Sequence, residues 1–207
     1  MSREVHVRFC ESVGVRFSCA TRLVACFQYK PEAERFRVEL VERLGKFGLE
    51  VEPTKTKVME FGRFAVQNAK QRGERPQTFD FLGFTHYCGT KRDGKGFRMK
   101  RVTARKKFIA KLKVFKEWLM KARILKTREL WETAKAKLRG HYNYYGVTDN
   151  LKGIIRFRDE VRKLLFKWLN RRGKKNCLNL EKFKQMLKRF PLPEPRIRVR
   201  MFGFSVN

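Results

Sequence analysis

Apolar and polar positions along the chain follow two different periods, and the change comes near residue 102. Residues 1–23 show no sustained repeat of either kind and read as an irregular segment. Val24, Ala25, Cys26 and Phe27 then form a short apolar run, ended by Lys30-Pro31, that predicts a buried strand. Over 32–47, Phe36, Leu40, Leu44 and Phe47 recur at spacings of four, four and three. That spacing predicts a helix with one apolar face, stopped by Gly48. Strand-like alternation returns at 49–52 and 57–61, with Pro53-Thr54 turning between them. The polar, glycine-punctuated stretch 62–77 reads as a loop. Phe79, Phe81, Leu82, Phe84 and Tyr87 predict one strongly apolar strand. Asp93-Gly94 marks a tight turn within 91–96, and 97–102 alternates apolar and basic residues.

Beyond residue 102 the apolar period becomes helical. Thr103 is the expected N-cap of a first helix whose stripe is Phe108, Leu112, Phe115 and Leu119. A second runs from about Thr127 to near Gly146 on Leu130, Ala134, Leu138 and Tyr142. A third opens at the capping signal Thr148-Asp149 and carries Leu151, Ile154, Phe157 or Arg158, Val161, Leu165 and Trp168, with Gly173 closing it. A short fourth helix fits 180–188, after which Pro191, Pro193 and Pro195 force an extended tail. The expected fold class is α+β. A helix and antiparallel strands occupy 24–102, an all-α bundle 103–190, and a basic, proline-containing tail 191–207.

Charge sharpens this division. Of 207 residues, 51 are Lys or Arg and 20 are Asp or Glu, a formal net charge of +31. Residues 91–207 hold 36 of the basic residues and only 9 acids, so the second half alone accounts for +27. A surplus of this size calls for a polyanionic partner. No apolar run approaches the roughly 18–20 residues of a membrane-spanning helix, and charges at Arg8, Glu11, Arg16 and Arg22 interrupt anything resembling a signal peptide. Nucleic acid is therefore the expected partner, with no membrane. The five cysteines are scattered and form no Cys-x-x-Cys pair, as reduced thiols of a cytoplasmic protein would. His86 and Cys88 alone do not make a zinc site.

Basic residues interleave with aromatics through the helical half. Arg105, Lys106, Lys107, Lys111, Lys113 and Lys116 surround the first helix, where Glu117 is the sole acid. Arg162, Lys163, Lys167, Arg171, Arg172, Lys174 and Lys175 crowd the end of the third. Between them stands Leu138-Arg139-Gly140-His141-Tyr142-Asn143-Tyr144-Tyr145-Gly146, rich in side chains that stack on unpaired bases. Helical spacing puts Tyr142 and Tyr145 near the Leu138 stripe and leaves His141 and Tyr144 more outward.

That segment, with Val147-Thr148-Asp149-Asn150, resembles the maturase-specific signature of group II intron-encoded reverse transcriptases. The resemblance extends to Arg105-Lys106-Lys107-Phe108 upstream, to 161–172 downstream, and to the ending Leu187-Lys188-Arg189-Phe190-Pro191-Leu192-Pro193, which is like that of members lacking an endonuclease domain. Phe79-Asp80-Phe81-Leu82-Gly83-Phe84 and residues 47–57 resemble the end of the polymerase palm. The match begins abruptly near Leu23 and covers about 23–200.

This resemblance implies a palm remnant followed by the thumb and maturase domain, which in the family grips intron RNA and assists its splicing. Its RNA-binding residues carry over to Arg105, Lys106, Lys107, Lys111, Arg139, His141, Tyr144, Lys163, Lys167, Arg171 and Arg172. No catalytic residue carries over. The family's Tyr-Ala-Asp-Asp turn falls on Cys19-Ala20-Thr21-Arg22, so Thr21 and Arg22 stand where the two carboxylates hold Mg2+ in intact members. The expectation is an intron-RNA-binding fragment without polymerase activity, and with no cofactor of its own. A reverse transcriptase completed in trans and a non-functional pseudogene product are the alternatives. Missing palm strands are further expected to leave Phe79, Phe81 and Phe84 without packing partners.

Overall fold

The computed structural model describes residues 6–14, 21–91, 94, 96–122, 124–171 and 178–201, with the backbone alone at 6–14, 21 and 22. The fold is α+β, and the chain divides into two units, Met1–Lys100 and Arg101–Asn207.

The first unit is built on β1 (His6–Gly14), a strand inside the segment that the sequence pattern left irregular. Val7, Phe9 and Val13 do alternate, but Arg8 and Glu11 dilute the apolar count, and the register slips between Glu11 and Val13. β1 pairs antiparallel with β2 (Thr21–Phe27) on one side. On the other it pairs with β4 (Thr56–Glu60) and, near its end, with β3 (Glu50–Val51). A single 3-10 turn, Pro53–Lys55, joins β3 to β4. The 24–27 run is indeed a strand but is not buried: Leu23 and Cys26 are exposed, and Val24 is half-buried.

Helix α1 (Lys30–Gly45) ends where Gly48 takes a φ of 68°, a region that costs other residues dearly. The turn lets Leu49 N–H reach Leu44 O and Gly48 N–H reach Gly45 O, both at 3.0 Å. Its stripe is shallower than the spacing implied, since Phe36, Leu40 and Leu44 are half-buried and Phe47 is exposed. The stretch read as a loop contains α2 (Ala65–Gln71). Its buried side chains, Ala65 and Ala69, sit one turn apart and are too small to stand out as a hydrophobic pattern.

The apolar run 79–87 is two strands rather than one. β5 (Phe79–Phe81) and β6 (Phe84–Thr90) form a hairpin in which Phe81 faces Phe84 across Leu82 and Gly83. Both turn residues have positive φ, 47° and 82°, as the tight two-residue hairpin demands. Leu82 is an unfavourable occupant of that position. Leu82→Asn is expected to stabilise this unit by about 1 kcal/mol, read from urea unfolding; a destabilised variant would show that the leucine side chain makes up for its backbone. β7 (Phe97–Thr103) completes the three-stranded sheet β5-β6-β7. Lys91 N–H bonds Gly96 O across the β6–β7 connection, whose residues 92, 93 and 95 lie outside the described residues.

Met59, Phe61 and Phe79 form the buried cluster of this unit, with Phe81, Phe97 and Met99 packed around it. Phe79 stacks on His86 at 4.8 Å and meets Phe61 edge-on at 5.0 Å. Phe79 and Phe84 are thus buried, contrary to the expectation that they lack partners. Phe79 finds its partners in the hairpin, in Met59 of β4, in Phe61 and in Phe97 and Met99 of β7.

The second unit is a three-helix bundle with a short fourth helix and a strap. α3 (Arg105–Ala122), α4 (Thr127–Tyr145) and α5 (Leu151–Leu169) run up, down and up. The direction follows from the contacts at one end: Phe108 meets Phe157 at 5.8 Å, and His141 stacks on Phe157. Leu119, Leu130, Trp131, Leu138, Val161 and Leu165 are fully buried, and the largest fully buried side chains all belong to this unit. α6 (Leu180–Arg189) is capped by Asn179, whose Oδ1 accepts from Lys182 N–H at 2.8 Å, and packs Phe183 against Phe166.

Two caps differ from the sequence reading. Ala104, not Thr103, precedes α3, with its carbonyl accepting from Phe108 N–H. Asn150, not Thr148 or Asp149, is the residue before α5, and it is wholly buried. Its side chain is a strut: Oδ1 accepts from Thr103 N–H at 2.9 Å, and Nδ2 donates to Thr103 Oγ1 and Tyr145 O at 2.8 Å each. One amide thereby joins the starts of α3 and α5 to the end of α4. α5 ends at Leu169, and Gly173, expected to close it, lies outside the described residues.

The proline-containing segment does not leave the bundle. Leu192 is buried, Glu194 pairs with Arg158 at 2.6 Å, and Val199 forms a parallel bridge with Val147 in the α4–α5 turn.

Candidate nucleic-acid interface

The expected RNA-binding residues do not form one cluster. Because α3 and α5 are parallel and α4 opposes them, the start of α3, the end of α4 and the start of α5 share one end of the bundle. Arg105, Lys106, Lys107 and Tyr144 lie there, with Lys111 one turn away, and all are exposed. Lys163, Lys167 and Arg171 lie on the last turns of α5 and just beyond. At 1.5 Å per residue, Lys167 is about 24 Å along the axis from the start of α5. Lys163 is also engaged, by Glu160 at 2.8 Å, and Arg171 lies over the Trp168 ring at 4.8 Å. Arg139 stands roughly 140° around α4 from Tyr144, on its other flank. Arg172 falls outside the described residues.

His141 is the clearest correction. Its ring is 7% exposed and lies flat on Phe157, with centroids 3.6 Å apart and 9° between planes. Burial, with the Lys111 ammonium nearby, lowers its pKa to about 4, so it is neutral at physiological pH and packs as an aromatic. It is part of the floor, not a contact. The tyrosines sort as helical spacing implies: Tyr142 and Tyr145 are buried, whereas Tyr144 is 53% exposed and rests edge-on against Tyr145 at 4.8 Å.

Two residues the sequence reading passed over complete the face. Lys107, Lys111 and Trp118 recur at four and seven on α3, while Lys137, His141 and Tyr144 recur at four and three on α4. Lys137 Nζ lies over the Trp118 ring at 5.1 Å, and Lys111 acts electrostatically on His141, so these two stripes adjoin. The result is a basic face floored by aromatic rings, with one half-exposed tyrosine at its end. Charge and aromaticity were each visible in the sequence, but only the pairing of α3 with α4 shows that they coincide.

The electrostatics favour an anion along α3. Arg105, Lys106, Lys107, Lys111, Lys113, Lys116 and Lys121 make no ion pair among the described residues. Like charges one turn apart on a helix repel by a few tenths of a kcal/mol each, which a bound polyanion relieves. A solvated face of mixed sign would have no such surplus.

The segment that resembles the catalytic turn of a polymerase is a separate matter. Thr21 and Arg22 open β2, with Thr21 opposite Val13 and Arg22 opposite Glu11, while Cys19 and Ala20 lie outside the described residues. A hydroxyl and a guanidinium do not fit a Mg2+ site that needs carboxylate oxygens. No group of three or more His, Cys, Asp or Glu side chains lies together among the described residues. Among them, too, no helix is long and apolar enough to cross a membrane.

No model of a known protein family matches the chain, and no curated protein matches it.

Proposed function

We propose that the chain is an RNA-binding protein of maturase type, related to group II intron reverse transcriptases, that acts through its helical unit and lacks the metal-binding carboxylates of a polymerase at Thr21 and Arg22. Its partner is intron RNA, whose splicing-competent fold it assists, and a cytoplasmic location goes with that role. The observation that carries the reading is the α3–α4 face, where Lys107 and Lys111, in no ion pair among the described residues, lie towards the same end of the bundle as the half-exposed Tyr144. The residue pattern over 105–190 supports the maturase assignment, and the Thr21 and Arg22 chemistry supports the loss of polymerisation.

Two variants test this reading. Lys107→Ala/Lys111→Ala is expected to weaken binding to all structured RNAs alike. It should also shallow the plot of log affinity against log salt by about 1.4–1.8, the release from two phosphates. Tyr144→Ala is expected to cost about 1–3 kcal/mol on unpaired targets, with the salt slope unchanged. Because Tyr144 is half exposed, its melting temperature should barely move. A chain that binds intron RNA no better than a basic peptide of equal charge would refute the proposal, as would Tyr144→Ala affecting stability alone.

A further inference from the structure

The segment after α6 is built into the helical unit by its backbone. Arg198 and Val199 N–H both reach Gly146 O, and Thr148 N–H reaches Val199 O at 3.1 Å. The Thr148 hydroxyl donates to Val199 O at 3.3 Å and accepts from Met201 N–H at 3.1 Å. Arg101, just before α3, donates to the Met201 sulfur. Gly146 leaves the room this needs: a Cβ there would run into Tyr142 O and stand 2.8 Å from Arg196 O.

Arg196, Arg198 and Arg200 occupy every second position of this strap, and all three are exposed. None of the three forms an ion pair among the described residues. The strap crosses the α4–α5 turn, so this row lies at the end of the bundle that also holds Tyr144 and the start of α3.

We propose that Arg196, Arg198 and Arg200 form a second phosphate-binding row, which holds the backbone of a single RNA strand whose bases reach Tyr144. The inference rests on the RNA-binding reading and extends it to residues outside the α3–α4 face. The strap is pre-organised, so binding does not have to order it.

The test uses the full chain and a short oligouridylate. Arg196→Gln/Arg198→Gln/Arg200→Gln is expected to shallow the salt slope by about 2, at roughly 0.7 per phosphate on a single strand. Thr148→Val removes no charge but takes away the hydroxyl that holds the strap; affinity should fall about threefold to tenfold with the slope kept. Melting temperatures of both variants should stay close to that of the parent, and Gly146→Ala gives a second way to loosen the strap. An unchanged slope in the triple variant overturns the proposal. So does unchanged affinity in both Thr148→Val and Gly146→Ala, which would make the segment a loose basic arm. Phosphatidylserine vesicles supply a third arm: binding to them that exceeds RNA binding and depends on the same arginines would assign the row to a membrane surface instead. If the parent chain itself fails to bind RNA, the broader reading fails; if the parent binds and the strap variants match it, only this inference fails.

Discussion

Replacing Trp131 with alanine is expected to cost the helical unit about 3–5 kcal/mol, the range for removing a buried aromatic from a core. Trp131 has no exposed surface, and it tilts against Phe190 with ring centroids 6.0 Å apart. Its indole N–H donates to the Phe190 carbonyl, so the same side chain fixes α4 and the end of α6. Domains of this size are stable by only about 5–15 kcal/mol in all. The loss should therefore show as a large fall in the urea midpoint followed by far-ultraviolet circular dichroism. Trp131→Phe separates the two contributions: it keeps most of the ring but leaves the carbonyl without its donor, which costs about 1–3 kcal/mol. A loss below 1 kcal/mol in the alanine variant would mean that the bundle closes over the gap. RNA affinity per folded molecule should be unchanged, because Trp131 lies inside.

Acid should destabilise the same unit through His141. Its folded pKa of about 4 lies below the ordinary value of 6.5 because the ring is buried beside Lys111. Between those two values the unfolded chain binds a proton that the folded chain excludes, so stability falls as pH drops from 6.5 towards 4 and levels off below that. Above 6.5 both states are neutral and the residue contributes no pH dependence. The full drop is about 3 kcal/mol. Carboxylates also titrate in acid, so the informative quantity is the difference between the parent and His141→Phe, which preserves the stack on Phe157. The phenylalanine variant should lose less stability over that window. Parallel pH profiles would show that the imidazole is solvated and accepts its proton in place.

His141 also shows where sequence legibility stopped. On α4 alone it sits 60° from Leu138, at the margin of the apolar stripe, and its polarity argued for an outward position. What buries it is Phe157, sixteen residues away on another helix. The stripe of α4 itself was readable because Leu130, Ala134, Leu138 and Tyr142 repeat without interruption and all face the core. Tyr144 was readable for the same reason, by its distance from that stripe. The hairpin at Leu82-Gly83 was not, because an apolar residue occupies a backbone position that usually advertises itself with Asn or Asp. α2 was missed through alanines that bury without registering as hydrophobic, and Asn150 through a role that depends on Thr103 and Tyr145 together. Period and charge located the helical, strongly basic half of the molecule. The adjacency of Lys137 and Trp118, and the return of the arginine strap to the α4–α5 turn, exist only in the assembled bundle.

The place of β1 sets a timetable for the first unit. β2 follows it closely and can pair at once, but the strand that closes its other side, where His6 meets Glu60, lies further along the chain. A ribosome adding about 5–20 residues per second reaches β4 roughly two to ten seconds after β1. For those seconds the hairpin stands with one side of His6–Gly14 unpaired, a template for a neighbouring nascent chain. Yield in the cell should thus follow elongation rate and chain crowding more closely than it follows the final stability of the sheet. Cooler, slower expression lengthens the open interval while it weakens hydrophobic association, and those two effects pull the yield in opposite directions.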